Sequence, residues 1–535
     1  MTPTYNLGDL FDLAADSVAD RTALVWDQVR LSYADLRARS DRLAAALARR
    51  GVRRGQTVGL LMYNCPAYVE SLLAAFKLGA IPFNINYRYD VEELRYILRD
   101  ARAAVLIHGS EFGPILEKTL PALPPLVLRV VVEEDEPFVA SDPHVLSYTA
   151  ALAEAVGDAD ISSGRCDDDR LLLYTGGTTG MPKGVEWSHV AKFFGAFGGG
   201  GIFHPDGPIL APAQIAERTP SAPPLVVLTL SPLMHGAALW AAMIALLNGQ
   251  TLVLKKARSF DGELVWALIE REHVNALSFT GDAMAIPMLE AWDGNPGRWD
   301  VSSLFAFSWG GAPLSPHMQE ALKARFPNVS QMSSLGSSEG GMIGPGSLDA
   351  ECGGMMRLAP RQDLAVIVDG ERFARSGEMG ILARTGHLPI GYWGDPEKTA
   401  ETFITLGDKR WVLTGDQVRL DADGSMVLFG RGSTCINTGG EKVFPEEVEA
   451  VLRSHPDVRD ALVVGVPDPR WGESVAAVVA PRPDRLPTLE MLRAHCDGKL
   501  AGYKQPRKLF IQSEIRRSPA GKADYRWAKA VAMQA

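Results

Sequence analysis

Cysteine is scarce in this chain, and the few cysteines present are not paired. The 535 residues include five cysteines, with no Cys-x-x-Cys motif and no histidines near them at zinc-site spacing. This excludes a disulfide-stapled scaffold and a zinc site, so we expect reduced thiols, as is typical of a cytoplasmic protein. Residues 1–12 lack a basic region followed by an apolar one, so no secretory signal is expected.

Concentrated positive charge is also lacking. The chain has 54 Lys and Arg residues against 64 Asp and Glu residues, a formal net charge of −10. Binding to nucleic-acid phosphates depends on clustered Lys and Arg side chains, and no basic tract is present. We therefore expect no nucleic-acid partner.

One long uncharged run could in principle cross a bilayer. Residues 221–254 contain no Asp, Glu, Lys or Arg. Pro232, Gly236 and Asn248 are among the residues that divide this run into a predicted strand, turn, helix and strand. The pattern predicts a buried core rather than an integral membrane segment.

The hydrophobic pattern alternates between helical and strand periods. Predicted helices at 33–50 and 67–78 alternate with apolar strands at 57–62 and 104–108, which predicts an α/β fold with mostly parallel sheets and helices on both faces. The Gly- and Pro-rich stretch 198–224 has little periodicity, so it is either a long loop beside a ligand site or a disordered insertion.

A change of pattern near Gly430 suggests a domain boundary. A compact βα unit follows it, with a predicted helix at 445–454 and strands at 461–466 and 475–481. We predict domains at 1–430 and 431–535, the second of ordinary domain size.

The most informative motif is the run from Tyr174 to Gly184, Tyr-Thr-Gly-Gly-Thr-Thr-Gly-Met-Pro-Lys-Gly. Glycines let the backbone approach an anion with its N–H groups, hydroxyls add donors, and Lys183 adds positive charge. A surface turn has a similar composition, but the apolar strand at 171–174 that leads into this loop favours a phosphate site. The spacing differs from that of the Walker loop.

This run resembles the AMP-binding signature of the adenylate-forming (ANL) superfamily, which includes acyl-CoA synthetases, luciferases and peptide-synthetase adenylation domains. The resemblance extends over essentially the whole chain and implies a large N-terminal domain of stacked mixed β-sheets with flanking helices. A small α+β C-terminal domain would be joined to it by a hinge. The ATP-binding residues implied in this loop are Thr175, Gly176, Gly177, Thr178, Thr179, Gly180 and Lys183.

Two further segments resemble the family's nucleotide-binding motifs. The stretch Ser308–Leu314 is similar to the segment that lies along adenine and ribose, which implies contacts from Gly310, Gly311 and Ala312. The stretch Gly336-Ser337-Ser338-Glu339 resembles the family's Gly-x-Thr-Glu motif. It implies that Glu339, together with Thr175, binds Mg²⁺ through oxygen ligands.

Taken alone, Ser-Ser-Glu is typical of a helix cap. Leu335 stands where many relatives carry an aromatic residue on the adenine, so weaker affinity for the base is expected.

Charged residues nearer the C-terminus complete the implied nucleotide site. Thr414-Gly415-Asp416 resembles the segment whose aspartate accepts hydrogen bonds from both ribose hydroxyls, although the tripeptide alone is a common turn. Arg431 is the matching basic residue. Pro519-Ala520-Gly521-Lys522 resembles the loop with the catalytic lysine, whose ammonium stabilises charge at the carboxylate and the α-phosphate.

A third group of motifs corresponds to the thioester-forming step. His235 matches the histidine that gates the route between the acyl site and CoA, although a lone histidine in an apolar run is often a core residue. The resemblance implies a hinge at Ser433 and a CoA channel built from Gly439, Gly440, Glu441 and Lys442. Many relatives have Asp or Lys at the hinge and Lys where Asn437 stands, so the energetics of the hinge motion stay open.

The implied activity is that of an AMP-forming acid–thiol ligase. It uses ATP, Mg²⁺ and CoA to convert an apolar carboxylic acid, a medium- or long-chain fatty acid or a steroid side-chain acid, to its CoA thioester through an acyl-AMP. The motifs look most like those of bacterial long-chain and steroid side-chain CoA ligases. The implied acyl wall is apolar, with no evident cationic anchor, and includes Met234, Ala237, Trp240, Thr280, Met284 and Trp309.

Two alternatives remain open. One is an acyl-AMP ligase that loads a carrier protein, and the other is a catalytically silent nucleotide-binding homologue. Retention of Lys183, Glu339, Asp416 and Lys522 speaks against the silent homologue. The resemblance also allows a homodimer and peripheral contact with a membrane.

Overall fold

The computed structural model describes residues 3–133, 142–175, 181–312, 314–349, 355–431, 434–438, 441–468, 471–518 and 521–534. Contacts divide the chain into two compact units. Unit 1 is Met1–Ser278, Gly297–Leu304 and His387–Glu401, and unit 2 is Phe279–Pro296, Phe305–Gly386 and Thr402–Ala535. Within the ranges given above, no helix is long and apolar enough to cross a membrane.

Most of the helices begin at side-chain caps. Ser32 and Asp35 form a reciprocal capping box at the start of one helix, and Asp90 and Glu93 form another. The α-helices, in chain order, are α1 (Leu7–Ser17), α2 (Tyr33–Arg49), α3 (Pro66–Lys77), α4 (Val91–Asp100), α5 (Gly113–Thr119), α6 (Tyr148–Ala153), α7 (His189–Ala196), α8 (Gln214–Arg218), α9 (Gly236–Leu247), α10 (Gly262–Glu272), α11 (Gly281–Gly294), α12 (Pro316–Arg325), α13 (Pro396–Thr402), α14 (Pro445–Arg453), α15 (Leu489–Cys496) and α16 (Tyr525–Met533).

The longest strands, of eight or more residues, all lie in the second half of the chain. In chain order they are β1 (Thr22–Trp26), β2 (Val29–Ser32), β3 (Thr57–Leu61), β4 (Ile81–Asn84), β5 (Val105–Gly109), β6 (Leu128–Val132), β7 (Val145–Ser147), β8 (Arg170–Thr175), β9 (Lys183–Ser188), β10 (Val226–Thr229), β11 (Thr251–Leu254), β12 (Ala276–Phe279), β13 (Ala306–Trp309), β14 (Ser330–Ser337), β15 (Gly341–Asp349), β16 (Met355–Leu358), β17 (Leu364–Val368), β18 (Arg372–Phe373), β19 (Met379–Thr385), β20 (Gly391–Tyr392), β21 (Phe403–Leu406), β22 (Lys409–Leu420), β23 (Met426–Arg431), β24 (Ile436–Thr438), β25 (Glu441–Val443), β26 (Val458–Asp468), β27 (Gly472–Pro481) and β28 (Lys508–Ile511).

Unit 1 has the predicted βα organisation. One sheet has the order β20-β9-β8-β4-β3-β5-β6-β7, parallel from β8 to β7 and antiparallel at β8/β9 and β9/β20. A second group of strands has the order β12-β10-β11-β1-β2 and is parallel except at β1/β2. The central parallel strands β3 and β5 are buried at every position, as expected for strands covered on both faces.

Unit 2 departs from the expected mostly parallel arrangement. Its strands follow the order β18-β17-β19-β22-β23-β16-β15-β14-β13, and the pairs in this order are antiparallel except β13/β14. The expectation of mostly parallel sheets is therefore wrong here, because many consecutive strands between residues 330 and 431 pair with each other in the antiparallel sense. The mixed sheets and the smaller α+β part agree with the predicted fold class.

The C-terminal part of unit 2 has cores of its own. The sheet β25-β24-β27-β26, extended by β28 on β27, carries α14 and α15 over one apolar cluster and α16 over another. Val448 and Leu452 on α14 are buried in the first cluster, and Ala528 and Ala532 on α16 are buried in the second. The domain boundary predicted between residues 430 and 431 lies inside unit 2 and stays a prediction.

Two segments of irregular composition have defined structure. Residues 221–254 form strand β10, a turn, helix α9 and strand β11, as predicted. The stretch 198–224, predicted to be a long loop or a disordered insertion, contains helical turns at Gly198–Gly200 and Thr219–Ser221 together with the short helix α8. Arg21 donates to the carbonyls of Thr219 (3.2 Å) and Pro220 (2.8 Å), a long-range tie that local periodicity does not reveal.

Candidate functional site

The predicted phosphate loop is carried by a β-hairpin in unit 1. Strands β8 and β9 pair in antiparallel register, with Thr175 opposite Lys183 at the loop ends. Lys183 Nζ lies 2.5 Å from Asp395 Oδ2, and both side chains are about one-third exposed or more. The hydrogen bond from Lys183 holds the pKa of Asp395 below its usual range. Gly176, Gly177, Thr178, Thr179 and Gly180 lie outside the described residues.

Asn84, to which the sequence analysis assigned no role, fixes the strand that enters this loop. Its side-chain carbonyl accepts from the Tyr174 N–H (2.7 Å), and its amide donates to the carbonyls of Tyr174 (3.0 Å) and Met234 (2.6 Å). The Tyr174 hydroxyl donates to Asp100 at 2.6 Å, and burial together with this contact raises the pKa of the phenol. One buried amide therefore joins β8 to the segment that precedes His235.

His235 occupies the position before the first turn of α9. Its backbone N–H donates to the Pro232 carbonyl at 3.0 Å, and its own carbonyl accepts from Leu239, so the histidine is held at a helix start. Met234 is buried, whereas His235 and Ala237 are half-buried. This position suits either the predicted gate or a packed helix end.

A buried cation lies against one predicted acyl residue. Lys192 on α7 has its Nζ 4.7 Å from the Trp240 ring centre and 4.5 Å from that of Trp187, and Lys192 is inaccessible to solvent. A desolvated ammonium over indole rings is a favourable cation–π contact. A cation therefore lies against Trp240, although no cationic anchor was evident from the sequence for the predicted acyl wall.

The predicted adenine segment follows β13 in unit 2. Gly310 lies so close to the Ser334 carbonyl that a Cβ would be 3.2 Å from it, and Gly311 has a φ of +81°, which favours glycine. Ala312 follows, and α12 then begins after Ser315, whose hydroxyl accepts from the Met318 N–H at 3.4 Å. The backbone thus leaves the strand through two positions that favour glycine.

The predicted magnesium-binding segment forms a hairpin turn rather than a helix cap. Gly336 and Ser337 end β14, and Ser338, Glu339 and Gly340 lead into β15. The Ser337 hydroxyl accepts from the Gly340 N–H at 2.7 Å, so the turn closes on itself.

An arginine that the sequence analysis missed braces this turn. Arg384 on β19 is nearly buried and donates to the Gly340 carbonyl. Burial lowers the pKa of the guanidinium. Because β19 pairs with β22, this contact joins the Glu339 turn to the strand with the predicted ribose ligand.

Asp416 lies inside strand β22 and not in a turn. It is 7% exposed, and its backbone register partner on β23 is Arg431, so the predicted pair of positions is adjacent. The Thr414 hydroxyl donates to the Leu382 carbonyl (3.0 Å) and accepts from the Asp416 N–H (3.2 Å). Gly415 has a φ of +80°, a local distortion that explains the turn-like sequence. The Arg431 side chain lies outside the described structure.

Three predicted acyl residues and the lysine loop belong to unit 2, and one of those residues, Thr280, contacts the loop. Thr280, Met284 and Trp309 are each at most 5% exposed, and the Thr280 N–H lies 3.3 Å from the Met284 sulfur. Gly521, at a φ of +69°, packs on the Thr280 carbonyl, where a Cβ would be 3.0 Å away. Lys522 is exposed, and its backbone N–H donates to the Ser518 hydroxyl at 3.1 Å.

The predicted CoA-channel residues are only partly described. Strands β24 and β25 form a hairpin in which Thr438 pairs with Glu441, and Glu441 is exposed. Ser433, Gly439 and Gly440 lie outside the described residues, as do the side chains of Asn437 and Lys442. Their roles stay predictions.

The structure offers no preformed metal centre in the ranges it describes. Among those residues, no group of three or more His, Cys, Asp or Glu side chains could hold a metal ion. A cation at Glu339 would therefore take further oxygen ligands from elsewhere, as Mg²⁺ commonly does from phosphates. A cavity of about 140 Å³ in unit 2 is lined by residues of α11 and α12, including Asp282, by Arg453, Arg459 and Arg482, and by none of the residues of the predicted acyl wall.

The chain matches one protein family in two segments. Residues 11–393 match the family described as AMP-binding enzyme, and residues 447–522 match the AMP-binding enzyme C-terminal domain. The chain belongs to the AMP-binding enzyme family. The predicted resemblance is thus confirmed for this family, and the boundary predicted near residue 430 falls between the two matched segments.

Individual members of the AMP-binding enzyme family are similar over the full length. A medium/long-chain-fatty-acid–CoA/3-oxocholest-4-en-26-oate–CoA ligase of Mycobacterium marinum is 41% identical, over 99% of this chain and 97% of its own. A 3-oxocholest-4-en-26-oate–CoA ligase of Rhodococcus rhodochrous is 41% identical, over 98% and 95%. The crystal structure of the anthranilate CoA ligase AuaEII in complex with anthranoyl-AMP is similar with a TM-score of 0.82 and 26% identity, over 100% and 99%.

Proposed function

We propose that this protein is an ATP-dependent acyl-CoA synthetase for apolar carboxylic acids, either medium- or long-chain fatty acids or steroid side-chain acids. The main support is the 41% identity of this chain to each of two relatives, over nearly the full length of the chains compared. The names of these relatives include the two acid classes. The apolar character of the predicted acyl residues Met234, Met284 and Trp309 suits an apolar acid, because burial of each substrate methylene contributes about 0.8 kcal/mol to binding.

The reaction has two steps, which the predicted residues serve separately. The acid's carboxylate attacks the α-phosphorus of ATP, pyrophosphate leaves, and the CoA thiol then displaces AMP from the acyl carbon. Lys183 binds phosphate oxygens, Asp416 accepts hydrogen bonds from the ribose hydroxyls, and Lys522 stabilises negative charge as the mixed anhydride forms. His235 and Glu441 serve the second step, at the entry of CoA.

Glu339 suits a cation that is bound together with ATP. Its turn is closed by Ser337 and braced by Arg384, so the carboxylate sits on a defined backbone. Mg²⁺ held there would neutralise charge on the phosphates, and the hydroxyl of Thr175 stays a predicted second ligand. The homodimer, the peripheral membrane contact and the cytoplasmic location also stay predictions.

A panel of acids, each with and without CoA, tests this function. Purified protein is incubated with ATP, Mg²⁺ and saturated C8–C18 acids, 3-oxocholest-4-en-26-oate, anthranilate or alanine, and pyrophosphate, AMP and thioester are quantified. We expect AMP formation and an acyl-CoA product with the first two classes and little with the last two. Acyl-AMP that accumulates and never passes to CoA would indicate a carrier-loading ligase. No AMP with any acid would indicate a silent homologue.

A further inference from the structure

A chain of buried charges runs from helix α11 to the loop that carries Lys522. Its four members are Asp282 on α11, Arg453 on α14, Asp460 on β26 and Arg517 before the loop, and all belong to unit 2. The side chains are between 2% and 11% exposed. Burial removes solvent screening, so contacts between these charges are stronger than surface ion pairs.

Arg517 is the member that contacts the lysine loop. Its Nε and Nη2 donate to the two oxygens of Asp460 at 2.9 and 2.8 Å, a two-point contact that fixes the guanidinium plane. Its remaining nitrogen, Nη1, donates to the Gly521 carbonyl at 3.3 Å. The residue immediately before Lys522 is therefore tied to the β26 strand through one arginine.

The loop has an internal structure that this contact supports. The Ser518 N–H donates to the Lys522 carbonyl at 2.8 Å, and the Gly521 N–H donates to the Ser518 carbonyl at 2.8 Å. The other side of Gly521 packs on the Thr280 carbonyl, with the Ala283 methyl close by. A shift of Gly521 would move Lys522 with it.

Arg453 extends the chain to helix α11. Its Nε lies 3.1 Å from Asp460 and 3.7 Å from Asp282, and its Nη2 donates to Glu449 at 2.8 Å. Asp282 accepts from the Ser315 N–H at 2.8 Å, so it is fixed from a second side. The first turn of α11 thus has two contacts. Asp282 faces Arg453 in the network, and the adjoining residues Thr280 and Ala283 pack on Gly521 in the lysine loop.

We propose that Arg517, held by Asp460, is a positioning residue for Lys522, and that Arg453 and Asp282 anchor this network to α11. The proposal rests on the proposed function in one respect, the action of Lys522 in acyl-AMP formation. It assigns Arg517 no contact with substrate. The consequence is that loss of Arg517 slows adenylation, whereas CoA transfer from acyl-AMP, which does not require Lys522, continues.

The test uses full-length protein with Arg517→Gln, which removes the charge, and Arg517→Lys, which keeps it without the planar fork. Two half-reactions are measured, ATP–pyrophosphate exchange with a fatty acid and thioester formation from supplied acyl-AMP and CoA. Because misplacement by about 1 Å can cost up to about 100-fold, we expect Arg517→Gln to slow exchange by about 10- to 100-fold and thioester formation by less than about 2-fold. The lysine variant should fall between the glutamine variant and the parent.

The matched control is Arg516→Gln. Arg516 is adjacent, 69% exposed, and 3.5 Å from Asp524, so the same charge is removed from the same segment without loss of the Asp460 contact. This variant should match the parent in both half-reactions. An equal fall of both half-reactions in Arg517→Gln would indicate a general structural role and overturn the proposal.

A measurement that does not depend on catalysis separates the positioning role of Arg517 from the catalytic role of Lys522. Amide hydrogen exchange over residues 514–524 should rise in Arg517→Gln and stay unchanged in Arg516→Gln, since the loop hydrogen bonds then open more often. Unchanged exchange in Arg517→Gln would refute the positioning role. A different outcome would be faster amide hydrogen exchange in Arg517→Gln together with parent-like adenylation in Lys522→Ala. This would support the contact of Arg517 with the lysine loop and refute the role of Lys522 in the proposed function.

Asp282→Asn tests the anchor on α11. Asparagine keeps an oxygen for the Ser315 N–H and removes the charge that faces Arg453, so folding should be preserved. We expect the rate of pyrophosphate exchange to fall less than in Arg517→Gln and the rate of thioester formation to stay unchanged. Rates equal to those of the parent in both half-reactions would refute the role of Asp282 as an anchor of the network.

Discussion

Replacement of Lys183 by methionine should separate nucleotide binding from stability. The Lys183–Asp395 pair is short, at 2.5 Å, but its side chains are 42% and 35% exposed. Exposed ion pairs contribute about 0.2–1 kcal/mol, so the folded state should lose less than about 1 kcal/mol. A charge-assisted hydrogen bond to a phosphate is worth about 1.5–3 kcal/mol, so ATP should bind about 10- to 100-fold more weakly.

The ion pair also predicts the effect of its acidic partner. Asp395→Asn keeps the cap on the Lys398 N–H, 2.9 Å away, and removes the carboxylate that competes with phosphate for Lys183. ATP affinity should rise by up to about 5-fold, the equivalent of a surface ion pair. The gain should vanish in the Lys183→Met background, because the two side chains act through one contact.

The assay is calorimetric titration with a non-hydrolysable ATP analogue, together with urea unfolding of each variant. Lys256→Met is the control, because Lys256 is 54% exposed and pairs with Asp27 at 3.6 Å, and the two residues follow strands β11 and β1 rather than β8 or β9. Parent-like ATP affinity in Lys183→Met would refute the phosphate role. A loss of stability above about 2 kcal/mol would refute our reading of the pair as a weak surface contact.

Two further predictions concern stability in unit 1. Asn84→Ala leaves the N–H and C=O of Tyr174 without their side-chain partner, so unfolding should become easier by about 2–4 kcal/mol in urea titration; a loss below about 1 kcal/mol would contradict this. Burial lowers the pKa of His189 to about 3, and its Nδ1 accepts from the Leu7 N–H at 3.1 Å. Below pH about 6.5 the His189 imidazole binds a proton in the unfolded chain but stays neutral in the folded chain, so the free energy of unfolding falls as the pH drops. Between pH 7 and pH 5, His189 should lower the free energy of unfolding by about 2 kcal/mol. Unfolding midpoints at the two pH values should show that His189→Asn largely abolishes this contribution. A pH-dependent loss as large as in the parent would refute the assignment.

Local patterns predicted the regular elements well and their ends less well. Helix α2 was expected at 33–50 and is Tyr33–Arg49, because apolar spacing and the Ser32 cap are local signals. Strand β26 was expected at 461–466 and spans Val458–Asp468, since pairing with β27 continues it beyond its apolar centre. Asp416 was compatible with a turn, and only the long β22–β23 pairing shows that a glycine at positive φ sits within a strand.

The residues that support the candidate site could not be predicted in the same way. Asn84 contacts Tyr174, 90 positions away, and Arg517 contacts Asp460, 57 positions away. A single Asn or Arg carries no periodicity, and its partner is defined only once strands from distant parts of the chain are neighbours. The motif residues themselves were accessible from sequence because chemistry requires particular side chains at fixed spacing, whereas their supports need only be near in space.

The hairpin that carries the phosphate loop has a consequence for engineering. Because Thr175 faces Lys183 across the β8–β9 ladder, both loop ends are fixed by strand pairing and not by the length of what lies between them. Loops of other lengths could therefore be grafted between these two residues from other proteins. Deletion of one residue within β9 would be far more damaging, since side chains alternate along a strand and every later one would turn to the opposite face.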